Sequence, residues 1–267
     1  RRRRDARVVL TGRSRLAAGV AVALAQAGVG NLCPDLTGTV TDDDRIAAPL
    51  DAATLGTPRA TAVTEAIHRA APGTETRPIR RGHASLVIQF PSDQPVPLLA
   101  LAHLQRRQPY LAVTVREAVA VVGPLVPVHG RPCLHCLSLH RHEHTGDAFH
   151  RLTRPDPSLP NPPAPSAYQP GASAPPATDL PTSSDHLDLD PAAFDEGAAP
   201  RPGQEPLAVA TARAAVGYVV SEVLTFLDGG RPDSVGAEVE IAAAGRPRRR
   251  TWTPHPACAC ATARRRP

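Results

Sequence analysis

A strand, a glycine turn, an alanine-rich helix and a second strand succeed one another within the first 35 residues, and no other feature narrows the fold as far. Val8-Val9-Leu10 is a short apolar run of strand character, and Thr11 to Arg15 turns through Gly12. From Arg15 to Ala27 the chain is Ala-rich, with Leu16, Val20, Ala23, Leu24 and Ala27 on one face at helical steps. Gly28 and Gly30 stop that helix, and Asn31 to Pro34 forms a second strand closing at Asp35. A glycine turn that opens a helix, with an acid after the next strand roughly 20 residues on, outlines a dinucleotide-binding unit. Gly12 is the one glycine left of the three expected there; Ser14 and Ala17 hold the other two places.

The alternation continues. Thr57 to Ala71 has helical spacing, Thr76 to Ile79 reads as a short strand and Leu86-Val87-Ile88 as a buried one. Pro97 to Arg107 is a helix and Tyr110 to Val115 a β-branched strand. Ala118 to Val122 and Leu125 to Val128, split by Gly123-Pro124, continue the sheet antiparallel. The fold class expected is therefore α/β: a Rossmann-like, mostly parallel sheet with helices on both faces and an antiparallel C-terminal extension.

Residues Arg154 to Pro206 break this pattern, holding 14 of the 31 prolines. Such a stretch cannot bury enough apolar surface to offset its ordering entropy, and it reads as a disordered insertion. Leu207 to Asp228 is a helix with a Val/Leu stripe, stopped by Gly229-Gly230; Glu238 to Ile241 and Arg249 to Trp252 alternate as two closing strands, a hairpin around Gly245. The division expected is a nucleotide-binding core over 1–153, an insertion over 154–206, and a segment over 207–267 that completes the same domain.

The 267 residues contain no apolar run near the roughly 18 needed to span a bilayer and no signal peptide, which points away from a membrane and toward the cytoplasm. The absence of Met, even at position 1, is what a truncated or processed piece would show. The net charge is +5, and all 30 basic residues are Arg. Arg1 to Arg4, Arg246, Arg248 to Arg250 and Arg264 to Arg266 supply much of it; the remainder is 19 basic against 25 acidic residues. A mildly acidic body with 3% aromatics argues against nucleic-acid binding, and the runs read as solvated tails.

Four of the five cysteines form two tight pairs, Cys133-Leu134-His135-Cys136 and Cys258-Ala259-Cys260. Each short turn points its sulfurs one way, so the pairs can converge on a tetrahedral zinc ion as a closed structural knuckle. The alternative is two disulfides, which a chain of this length without a secretion signal does not favour. One residue rather than two separates the second pair, which leaves His255 as a substitute ligand. Cys33 ends a buried strand and reads as a core thiol. His140, His142, His144 and His150, with Glu143 and Asp147, read as a solvated loop rather than a second metal site; His83 and His103 read as satisfied lone histidines.

Taken together, the worn glycine turn, Ala27-Gly28-Val29-Gly30, Asp35 and the paired-Cys knuckle resemble the ThiF/MoeB superfamily of ubiquitin-activating-enzyme-like adenylyltransferases. Val121 to Val126, Pro132 to Leu137, Leu139-His140-Arg141, Arg250-Thr251-Trp252 and His255 to Cys260 resemble its actinobacterial branch of cyclodehydratase-type or leader-binding proteins, which act in thiazole/oxazole-modified peptide (bacteriocin) biosynthesis. The resemblance covers the chain except the Pro-rich insertion.

The resemblance implies adenylation of a C-terminal carboxylate, with ATP and magnesium as cofactors and structural zinc. It places Gly12 at the phosphate turn, Asp35 at the ribose and Asp93 near the metal and phosphates. Arg59 sits near the place of a triphosphate Lys that this Lys-free chain cannot supply, and Asp42-Asp43-Asp44-Arg45 stands where an Asn-Leu-x-Arg-Gln stretch belongs. No thioester Cys has a candidate. The function expected is a peptide-presenting partner with a degraded ATP site, engaging a precursor peptide and a separate ATP-using cyclising enzyme, as a homodimer or singly. The rivals are an active adenylyltransferase working through Asp35, Arg59 and Asp93, and a dinucleotide-binding oxidoreductase.

Overall fold

The computed structural model describes residues 1–45, 48–79, 84–116, 118–128, 130–153, 207–243 and 247–262, with the side chains of 144–153 and 261–262 left aside. The expected insertion over 154–206 and the turn at Gly245 lie outside the described residues.

Seven strands form one sheet. In chain order they are β1 (Arg7–Gly12), β2 (Asn31–Leu36), β3 (Leu86–Gln89), β4 (Tyr110–Arg116), β5 (Val119–Val126), β6 (Ala237–Ile241) and β7 (Arg248–Thr251). Their spatial order is β2-β1-β3-β4-β5-β6-β7. Pairings from β2 to β4 are parallel and those from β4 to β7 antiparallel. The expected α/β architecture with a parallel core is present.

Strand alternation assigns the two faces. Val8, Leu10, Leu86, Ile88, Leu111 and Val113 point into the main core. Helices α2 (Ala17–Gln26), α4 (Arg59–Ala70) and α7 (Val209–Leu227) cover that face, with α2 against both others. Nearly every residue of α2 is buried, and its alanines let backbone approach backbone. Val87 and Tyr110 point the other way, toward α5 (Val96–Gln105) and α6 (Leu134–Thr153), which pack on each other. Helix α7 is long and apolar enough to cross a membrane by length and composition alone. Here Ala212, Ala215, Val219 and Val223 bury its inner side in the core.

Several local expectations change. Thr76 to Ile79 is not a strand; only the preceding Glu75 makes a bridge, to Asn31. Strand β5 runs unbroken through Gly123-Pro124 instead of splitting in two, because its pairing with β4 continues on both sides. The His-rich stretch is part of α6 rather than a loop, since the buried Cys136 and Leu137 anchor the helix to its neighbours. The first arginines are not a free tail. Arg2–Asp5 is a helical turn, α1, and Arg3 donates from Nε to both carboxylate oxygens of Asp228, each at 3.0 Å. Asp228 caps the C-terminus of α7, where exposed carbonyls already favour a cation. The short acidic run Asp42–Arg45 is helix α3, and Ala259–Thr262 is helix α8.

Gly12 closes β1 with φ near +100°, and a Cβ there would meet the carbonyl oxygens of Phe90 and Pro91 at 2.6 Å. Gly28 has φ near +86° with nothing within 4 Å of a Cβ. Substituting Gly28 by Ala therefore incurs the backbone term alone, about 1–2 kcal/mol. Gly12→Ala adds overpacking against fixed backbone, for a total of about 2–5 kcal/mol. Urea unfolding of the two variants reads the difference; equal losses would show that the close approach at Gly12 is not a constraint.

Candidate functional site

In open α/β sheets ligands settle outside the carboxyl ends of the parallel strands. Gly12 and Asp35 lie there, at the ends of β1 and β2, and Thr11 Oγ1 donates to Asp35 Oδ2 at 3.2 Å. Asp93 follows β3 in an exposed turn. The backbone N–H of Arg13 donates to the carbonyl of Pro91 at 2.8 Å, so the glycine turn and the segment after β3 share one wall of the crevice.

Arg59 is at the same end but faces inward. It is only 5% exposed and Asp44 only 3%. Nε donates to Asp44 Oδ1 at 3.2 Å, Nη2 to Oδ2 at 3.0 Å, and Nη1 to the carbonyl of Thr37. Asp44 also accepts from the Thr41 N–H at 2.8 Å and its hydroxyl at 3.0 Å. The neighbouring acids are paired as well, Asp43 with Arg15 at 3.2 Å and Asp42 with Arg45 at 3.0 Å. The acidic run is thus neutralised pair by pair, although Arg15 Nη1 and Arg45 Nε are buried without a hydrogen-bond partner among the described residues.

The four knuckle cysteines meet. Cys133 enters α6, Cys136 sits in its first turn, and Cys258 and Cys260 flank the start of α8. Their sulfurs lie within 4.8 Å of one another, with Cys133–Cys136 at 3.8 Å, Cys133–Cys258 at 3.5 Å and Cys136–Cys260 at 3.3 Å. Sulfurs about 2.3 Å from a central tetrahedral ion lie about 3.8 Å apart, so the set is slightly contracted but of the right shape. All five cysteines are free thiols, which excludes the disulfide alternative here. Cys136 is held well below the usual thiol range because Cys133 and Cys260 donate to it, helped by the backbone N–H of His255. Cys133 is pushed up, first by donating to Cys136 and Cys260 and then by burial. Ala100, Leu137, Leu104 and Trp252 enclose the cluster. Four buried soft donors with one favoured thiolate fit a closed divalent-metal site.

His255 is not one of the ligands. Its Nδ1 accepts the Ala257 N–H at 3.1 Å, which leaves Nε2 protonated to donate to Glu143 at 2.9 Å. That tautomer also opposes a second metal at His140, Glu143 and His255, whose ligand atoms otherwise converge. His140 donates instead to the carbonyl of Thr253 at 3.0 Å and stacks on Trp252 at 5.7 Å. The histidines brace the C-terminal segment against α6. Cys33 is buried as expected, and burial pushes its thiol up.

One feature had no candidate in the sequence. Between α5 and α6, at the ends of β3 and β4, lies a cavity of about 380 Å³. Gln89 borders it, its amide donating to the carbonyl of Phe90 at 2.8 Å while His103 Nε2 meets its oxygen at 3.1 Å. His103 in turn stacks on Tyr110 at 4.4 Å, and the Tyr110 hydroxyl accepts the Leu134 N–H at 2.8 Å. Burial, then the charge of Arg106, pulls His103 down to about 4. Only the spacing of Leu134, Ser138, Arg141 and His142 on one side of α6 could have signalled the cavity, and that requires knowing the stretch is helical.

The architecture is similar to that of crystal structures of Escherichia coli MccB. One matches with a TM-score of 0.61 and 14% identity over 97% of this chain and 66% of that chain. Another, of the microcin C7 biosynthetic enzyme MccB in complex with N-formylated MccA, matches at 0.62 and 14% identity over 97% and 68%. A crystal structure of PaaA matches at 0.57 and 13% identity over 94% and 74%. The chain thus spans about two thirds of the length of the MccB chains. At these identities the likeness is one of fold. No protein-family model matches the chain, and no curated protein does.

Two measurements probe these sites. Protein purified without added metal is expected to carry about one zinc per chain, and a Cys133→Ser/Cys258→Ser double variant to lose it; unchanged stoichiometry in the variant would refute the ligand assignment. His103, by contrast, is neutral in the fold and protonates freely when unfolded, near its ordinary 6.5. Its stabilising effect is complete above about pH 6.5 and falls away as the pH drops toward 4, by about 3 kcal/mol. His103→Gln should flatten that part of the stability–pH curve relative to wild type.

Proposed function

We propose that this chain is a ThiF/MoeB-like protein that presents a precursor peptide to a separate ATP-using cyclising enzyme in cytoplasmic azole-peptide biosynthesis, and does not itself activate the peptide. The observation that carries this reading is Arg59, the residue that the resemblance sets near the place of a triphosphate Lys. Its guanidinium is committed to Asp44 and to the Thr37 carbonyl. Releasing it would leave a buried carboxylate unpaired, at a cost of about 3–5 kcal/mol. Adenylyl transfer depends on positive groups already aimed at the leaving pyrophosphate, and each one lost typically lowers the rate about 10²- to 10³-fold. Zinc at Cys133, Cys136, Cys258 and Cys260 would have the separate task of pinning the C-terminal segment to α6.

The active adenylyltransferase is the second reading. It draws support from Asp35 and Asp93, which remain exposed at the crevice for a ribose and a magnesium ion. The fold neighbour MccB, with a TM-score of 0.61, has been crystallised with ATP, which keeps this reading open at the level of fold.

Pyrophosphate exchange separates the two. The purified chain with ATP and magnesium is expected to bind nucleotide weakly and to show no exchange with peptide carboxylates. Arg59→Lys should not restore it, because the lysine would still face Asp44. Exchange by the wild-type protein that Asp93→Ala abolishes would decide for the adenylyltransferase.

A further inference from the structure

The enclosure of the cysteine cluster is incomplete on one side. A groove of about 180 Å³ runs between α5 and the two cysteine turns, and Cys133, Cys258 and Cys260 border it. Its α5 wall reaches the surface, where Leu98 and Leu101 are exposed. Ligands that only clamp a metal need no such opening, since the ion satisfies them once it is in place. A small molecule in the groove would lie beside the sulfurs.

The sulfurs also pair across the two segments more closely than within one. Cys136–Cys260 at 3.3 Å and Cys133–Cys258 at 3.5 Å are both shorter than Cys133–Cys136 at 3.8 Å. These two short contacts use each sulfur once, and each joins the head of α6 to the C-terminal segment. Each pair has an outer member and an inner one. Cys133 and Cys260 are 7% and 5% exposed and border the groove, whereas Cys258 and Cys136 are 2% and 0% exposed. An accessible thiolate with a second sulfur poised behind it is the arrangement that passes from sulfenic acid to disulfide. A divalent metal and an oxidant would compete for the same sulfur lone pairs.

We propose that the cluster is an oxidation site: a hydroperoxide entering the groove converts it into two disulfides, Cys133–Cys258 and Cys136–Cys260, and any bound metal is released. The Cys133 thiolate attacks the hydroperoxide; an S–O bond forms, the O–O bond breaks and hydroxide or alkoxide leaves. The Cys258 thiolate then attacks the sulfenic sulfur; the S–S bond forms, the S–O bond breaks and a hydroxide leaves. One hydroperoxide thereby takes two electrons from one pair of thiolates, and a second does the same at Cys260 and Cys136. Both links run between α6 and the C-terminal segment, so the segment stays tied down after the metal has gone. The proposal extends the pinning task given to zinc above and holds whether or not the chain activates a peptide.

The test is hydrogen peroxide added to the full chain as purified. A chromogenic chelator follows zinc release, and mass spectrometry of unreduced digests maps the links. The zinc should be lost, and the peptide holding Cys133 and Cys136 should be joined to the one holding Cys258 and Cys260. Cys33, away on β2, should stay reduced. A Cys136→Ser/Cys260→Ser variant should still form the Cys133–Cys258 link. Trp252 packs against the cluster and is the chain's one tryptophan, so its emission maximum reports whether the segment stays in place. That maximum should not move on oxidation. Links confined to Cys133–Cys136 or Cys258–Cys260 overturn the proposal. So do four thiols that survive a large excess of peroxide, or a red shift of Trp252 on oxidation. If the purified chain carries no zinc, the metal assignment falls, and the disulfide map still decides on the oxidation site.

Discussion

Two short cysteine turns, with Cys133 and Cys258 separated by 125 positions, meet in one buried cluster, and much of the C-terminal half depends on that meeting. It fixes where α6 begins, because Cys133 and Cys136 lie at the helix start. The start of α6 is held a second time by the Tyr110 hydroxyl on the Leu134 N–H. From there the helix presents Leu134, Ser138 and Arg141 to the cavity and His140 and Glu143 to the C-terminal segment. A metal bound by the four sulfurs would add its binding free energy to folding and so hold the cavity wall in place.

The same economy governs the buried charges. Asp44–Arg59 ties the α3 turn to α4, Glu222 accepts from the N–H groups of Asp233 at 3.2 Å and Ser234 at 2.7 Å, and Glu238 joins Arg141 to Trp252. Each is fully partnered, as a buried carboxylate must be, since stranding one costs several kcal/mol. Trp252 also lies under Arg250 at 4.2 Å. Arginine suits these places because its planar fork serves a carboxylate and a carbonyl, or a carboxylate and a ring face, at once. A chain rich in Arg and without Lys has built its charged groups into the scaffold.

The legible part of the fold was the part with strong local periodicity. Helix α2 and the strands β1, β2, β3 and β4 follow from apolar runs and glycine stops, and each lies within a residue or two of its expected place. The misread parts lack such a pattern. Thr76 to Ile79 has strand-like residues, but the β2 edge beside it is bridged only at Glu75. The His-rich stretch from His140 reads as solvated because histidine is polar, yet the turn before it is pinned by Cys136 and Leu137, and the helix simply continues.

By itself the sequence determined the order of elements, the parallel start of the sheet and the convergence of the four cysteines, because periodicity, turn residues and ligand spacing are local properties of the chain. Tertiary structure alone decided the partners of the charged groups. Arg59 could have faced a ligand or the core, and only the position of Asp44 and the Thr37 carbonyl settles which. His255 could have been a metal ligand, and only the Ala257 N–H on its Nδ1 fixes the other tautomer. Arg116 and Arg141 are indistinguishable in sequence, but Arg141 is ion-paired to Glu238 whereas Arg116 is exposed at the end of β4 with Glu238 and Glu240 nearby. Arg59 finds its partners 15 and 22 positions away, Arg141 finds Glu238 97 away and His255 Nε2 finds Glu143 112 away, and local sequence pattern carries no trace of these meetings.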